Sequence, residues 1–129
     1  MATIGNLELR IEKDILYASC THDGDRAYEI IQMLSEFLDS TERPTAQQYK
    51  SWFRKTSEEI LPYNYCEELI GGVPHKVIIN VGDKVILHTT PHEEFSDILR
   101  EACNTLTTKH KYRILEYSDL ETGEQLSLP

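Results

Sequence analysis

Lys76-Val77-Ile78-Ile79-Asn80-Val81-Gly82-Asp83-Lys84-Val85-Ile86-Leu87-His88-Thr89 is the stretch that decides the fold. Two runs of β-branched and aliphatic residues flank a Gly-Asp turn signal, so His75 to Thr89 predicts a β-hairpin. A three-residue loop, Gly82 to Lys84, sets Val81 opposite Val85 and Ile79 opposite Leu87. It asks Lys84 to take the position where glycine is usual. One face then carries Val77, Ile79, Val81, Val85 and Leu87, and the other Ile78, Asn80, Ile86 and His88. Both faces hold apolar residues, which predicts a central strand pair with helices on one face and partial cover on the other.

The hairpin runs into a helical pattern from Pro91 to Lys109. Thr90 and Glu93 have capping-box spacing, and Pro91 fits the first helical position. Phe95, Ile98, Leu99, Ala102 and Leu106 recur at three- and four-residue intervals, predicting one buried stripe flanked by Cys103. Each large member of that stripe contributes about 1.5–3 kcal/mol when buried.

Working outward, Leu7, Leu9 and Ile11 alternate with polar residues, and Ile15 to Cys20 makes a return strand after Glu12-Lys13-Asp14. On that return strand Leu16, Ala18 and Cys20 share a face opposite Ile15 and Tyr17. A helix is expected from about Arg26 to Leu38, with Asp25 as cap. A second, from about Thr45 to Leu61, has a Thr45/Gln48 capping box and a core stripe of Tyr49, Trp52, Phe53, Thr56 and Ile60. Pro62 stops it. Tyr65 to Ile70 suggests an edge strand, Tyr112 to Ser118 another strand, and Glu124 to Leu128 a last one. The expected class is α+β: a mainly antiparallel sheet of five to seven strands with three helices, in the order ββ-αα-β-ββ-α-ββ and without regular βαβ units. At 129 residues, positions 1–129 suit a single globular domain.

Composition bounds the function. An apolar fraction of 40% is ordinary and argues against disorder. A formal net charge of −9 argues against general binding to a phosphate backbone and permits a basic partner. No apolar run is long enough to span a membrane, and the N-terminus lacks the pattern of a secretory signal. Cys20, Cys66 and Cys103 are widely spaced with no Cys-x-x-Cys, which suits a reducing cytoplasm. No motif asks for a cofactor.

The chemistry-bearing residues are sparse. His88 and His92, with Glu93, offer nitrogen and oxygen donors that zinc accepts, but Pro91 divides them between strand and helix. Cys20 and His22 are close in sequence, which is poor grounds for a thiol–imidazole pair. The Glu58-Glu59 and Glu67-Glu68 pairs point apart on either a helix or a strand. Gly71-Gly72 lacks the lysine and spacing of a phosphate loop. The expected function is therefore protein binding without catalysis: an adaptor, inhibitor, immunity-like or chaperone-like protein. Its expected surface comprises Tyr63, Tyr65, Glu67, Glu68, Glu94 and Asp97, with tyrosines as anchors and acids steering a basic partner. Two readings from other classes are a metal-assisted hydrolase using His88, His92 and Glu93, and a DNA-mimicking regulator of a nucleic-acid-binding protein. A homodimer formed through an exposed edge strand is compatible with this plan.

Overall fold

Alternation governs the first two strands, β1 (Gly5–Ile11) and β2 (Asp14–Cys20), which form the expected hairpin around Glu12-Lys13. Leu9 pairs with Leu16 and Leu7 with Ala18. All four are buried, while Ile15 on the opposite face is exposed. The computed structural model describes residues 5–20, 24–60, 64–66, 75–89 and 95–116.

A 3-10 turn, Gly24–Tyr28, leads into α1 (Glu29–Ser40). Asp25 is not the cap. Tyr28 occupies that position with right-handed backbone angles and no capping side-chain bond. The 3-10 turn feeds directly into the helix, so there is no extended residue from which a side chain would cap. Ala27, Ile30, Ile31 and Leu34 are buried as their spacing predicts. Ahead of α2 (Ala46–Ile60), the Thr45/Gln48 capping box forms in both directions. The Gln48 N–H donates to Thr45 Oγ1 at 3.2 Å, and the Thr45 N–H donates to Gln48 Oε1 at 2.8 Å. Tyr49, Phe53, Thr56 and Ile60 are buried, and Trp52 stacks on Phe37 with ring centroids 5.1 Å apart.

The edge strand is β3 (Asn64–Cys66), and it pairs with β2. It begins just before the expected Tyr65 to Ile70 segment, of which residues 67–70 lie outside the described residues.

The deciding hairpin forms, one residue out of the expected register. β4 (His75–Asn80) and β5 (Val85–His88) pair Asn80 with Val85, Ile79 with Ile86 and Val77 with His88. The loop therefore has four residues, Val81 to Lys84. Three contacts close it: Asn80 Oδ1 accepts from the Asp83 N–H at 3.0 Å, Asn80 Nδ2 donates to Asp83 Oδ2 at 3.4 Å, and the Lys84 N–H donates to the Val81 carbonyl at 3.3 Å. Lys84 does adopt the left-handed conformation, at φ 54°. Because side chains alternate, one residue of slip exchanges the faces of a whole strand. Ile86 and His88 join Val77 and Ile79 on the helix-covered face, while Val85 and Leu87 join Ile78 on the other.

The third helix also starts later than expected. α3 (Asp97–Thr108) is capped by Ser96, whose side chain accepts from the Leu99 N–H. The Thr90, Pro91 and Glu93 signals lie outside the described residues. Ala102, Cys103 and Leu106 are buried with Leu99 half-buried, but Ile98 is 62% exposed. The stripe is centred on Leu99, Ala102, Cys103 and Leu106, and Ile98 falls just beyond its edge.

Among the described residues the sheet has six strands in the order β3-β2-β1-β4-β5-β6, where β6 is Arg113–Glu116. The β1–β2, β2–β3 and β4–β5 ladders are antiparallel. The β1–β4 and β5–β6 ladders are parallel. This is the expected α+β class with a mainly antiparallel sheet. The segment β5-α3-β6 is nevertheless a parallel crossover, a unit absent from the sequence reading, because α3 returns the chain along the sheet before β6 begins. The main core lies between the helices and the rows Leu16-Leu9-Ile79-Ile86 and Ala18-Leu7-Val77. On the opposite face Ile78, Val85 and Leu87 form a smaller buried cluster with Leu115 against it. Among the described residues no helix is long and apolar enough to cross a membrane.

Candidate functional site

Of the expected binding surface, Tyr63, Glu67, Glu68 and Glu94 lie outside the described residues. Tyr65 lies on β3 and pairs through its backbone with Ala18. Asp97 opens α3 and is exposed. β3 is one edge of the described sheet, whereas α3 packs beside α1 and β6, the latter at the opposite edge. The structure therefore does not bring Tyr65 and Asp97 into one patch. It instead sets Ile98 beside Asp97, with Glu101 one turn on, all three exposed. Helical spacing of three residues places Glu101 next to Ile98 on the surface. An aliphatic side chain thus stands in water with Glu101 one turn on along its face and Asp97 just before it in the chain.

His88 belongs to the core. Its pairing with Val77 points it toward the helices, and it is 1% exposed. Phe95 lies against it with centroids 4.8 Å apart, and Tyr28 meets it edge-on at 6.3 Å. His92 and Glu93, its expected companions at a metal, lie outside the described residues. Among the described residues no group of three or more histidine, cysteine or acidic side chains is placed to hold a metal ion.

Beside His88 is a polar contact that sequence reasoning missed. The Tyr28 hydroxyl is 2.7 Å from Thr89 Oγ1 and 3.0 Å from His75 Nδ1. Thr89 Oγ1 also accepts the Lys76 N–H at 2.9 Å. The phenol thus ties the start of β4 to the end of β5. The only sequence signal was a tyrosine just ahead of an apolar helical stripe, which does not say what its hydroxyl will meet.

Three acids are shifted upward by the fold. Burial pushes the Cys103 thiol up to about 11. Burial raises Tyr112 more strongly, and the Tyr49 phenol beside it adds to the effect. Burial also raises Tyr49. Each group keeps its proton in the folded chain at a pH where the unfolded chain gives it up, so the native state binds more protons. Stability is then fully present below the ordinary thiol and phenol values, about 8.5 and 10, and falls as pH rises past them. The urea midpoint is expected to drop between about pH 8.5 and 11. Cys103→Ala should flatten the thiol's part of that fall, and equal slopes for the two proteins would assign the fall to other groups.

No protein-family profile and no curated protein sequence matches this chain. Among solved structures, the NMR structure of TA0956 is similar at a TM-score of 0.46 with 10% identity, over 90% of this chain and 98% of that one.

Proposed function

We propose that the chain is a non-catalytic protein-binding protein whose recognition surface includes the exposed first turns of α3. The observation that carries this is Ile98, 62% exposed, with the exposed acids Asp97 just before it and Glu101 one turn on. An apolar side chain held in water on a rigid helix gains by being covered. Acids around it favour a partner that brings lysine or arginine to the rim, and the formal net charge of −9 steers such a partner from a distance.

The test is capture on the immobilised chain at low ionic strength, wild type beside Ile98→Ala and Asp97→Lys/Glu101→Lys. All three residues are exposed, so the variants should keep the wild-type circular dichroism spectrum. A basic protein is expected on the wild type, released by salt, with affinity reduced about tenfold or more by either variant, or about 1.4 kcal/mol. Equal retention by all three proteins would place the recognition surface elsewhere.

A further inference from the structure

We infer that the pocket between the C-terminal ends of α1 and α3 is a binding site for the phosphate group of a small phosphomonoester. The pocket encloses about 310 Å³, at the lower end of small-molecule sites. Its wall brings Arg43, Lys84, Lys109 and Lys111 together from three separate parts of the chain, with Tyr49 and Tyr112 beside them. Among the described residues, the carboxylates at the pocket are Glu42 in the wall and Asp39, which accepts from Lys109 at 2.8 Å and contacts His110 at 2.9 Å. Four cations against two carboxylates leave an excess of two positive charges, with the imidazole taken as neutral. On a protein of formal net charge −9 this is a local inversion of sign, and it matches a dianion better than a single carboxylate.

Helix ends supply a competing account. The last carbonyls of a helix attract cations, and Lys111 Nζ does donate to the Thr108 carbonyl at 2.9 Å. That explains Lys109 and Lys111. It does not explain Lys84, which comes from the β4–β5 turn and caps no helix. Helix-end geometry accounts for the left-handed Lys111, whose turn the Tyr112 N–H closes on the Leu106 carbonyl at 2.9 Å, and the hairpin turn accounts for Lys84, but both positions ordinarily go to glycine or asparagine. Non-glycine residues with positive φ are Glu12, Arg43, Lys84 and Lys111 among the described residues, and three of these four line this pocket. A long cationic side chain at φ 47°, 54° or 63° sits where glycine or asparagine would be less strained. Such strain concentrates at ligand sites, where the surroundings hold it in place. Tyr112 is buried in the wall, with the Tyr49 phenol beside its hydroxyl. Arginine and lysine together suit phosphate, the first by its planar fork and the second as a point charge.

The experiment is a titration of the isotope-labelled full chain with inorganic phosphate and with phosphoserine, followed by amide shifts at constant ionic strength. Acetate serves as the singly charged control. Saturable shifts are expected at Arg43, Lys84 and the amides of 109–112, with acetate weaker by about tenfold or more. Arg43→Asn and Lys84→Asn remove the cations while supplying a residue that tolerates the left-handed backbone, so both should fold. Each should weaken phosphate about tenfold. Shifts that do not saturate, that acetate reproduces, or that survive both substitutions would overturn the assignment and leave the cations as helix-end compensation. Loss of phosphate binding would leave the α3 interaction surface untouched, so the two readings fail separately.

Discussion

Phe53→Ala is expected to remove about 3–5 kcal/mol of folding stability, a large share of the roughly 5–15 kcal/mol that a domain possesses. Phe53 has no exposed surface and lies in the main core between α2 and the sheet. Truncation loses the transfer free energy of the ring and leaves a cavity that the surrounding strands fill only in part. Ile98→Ala is the control, since that side chain already stands in water, and its cost should stay within about 0.5 kcal/mol. Urea unfolding followed by tryptophan fluorescence reads both through Trp52. Comparable midpoints for the two variants would contradict the packing described for α2 and α3.

Arg10→Met is expected to cost about 2–4 kcal/mol, for a different reason. Glu8 is 5% exposed on the central strand β1, flanked by Tyr17 on β2 and Ile78 on β4. Its carboxylate is paired with the Arg10 guanidinium, whose side chain is 24% exposed. Removing the cation strands a charge in a place that water reaches poorly. The partial exposure of Arg10 screens the pair and puts the cost below that of a fully enclosed one. Replacing both residues, Glu8→Leu with Arg10→Met, removes the stranded charge and should return stability to within about 1 kcal/mol of the wild type. A double variant no more stable than Arg10→Met alone would show that Glu8 gains nothing from its neighbour.

What the sequence made legible was whatever short-range chemistry controls. The alternation of Leu7, Leu9 and Ile11, the Thr45/Gln48 box and the stripe Ile30, Ile31, Leu34 each lie within a few residues and appear in the structure as expected. The β4–β5 register was not legible in the same way. It rests on whether Asn80 ends the strand by accepting from Asp83, and both faces offered apolar residues, so hydrophobic pattern gave no vote against the alternative. That one residue moved His88 from the outer face into the core. The parallel ladders were hidden because strand direction depends on where a helix returns the chain, which no local pattern states. Sites fared worst for the same reason. Tyr28, His75 and Thr89 are far apart in sequence, as are Arg43, Lys84 and Lys109, and only the assembled fold brings each group together.

The parallel β1–β4 ladder also has a kinetic meaning. Gly5 pairs with His75, more than half the chain length away, at the centre of the sheet. The two antiparallel hairpins on either side close short loops and form within microseconds as local units. Joining them means closing the long segment that holds α1, α2 and β3, and chain entropy opposes that step until Leu7 and Leu9 meet Val77 and Ile79. Docking of one hairpin on the other is therefore the expected slow event of folding. Until it happens the inner edges of β1 and β4 lie open, and a nascent chain is most vulnerable to pairing with the wrong strand.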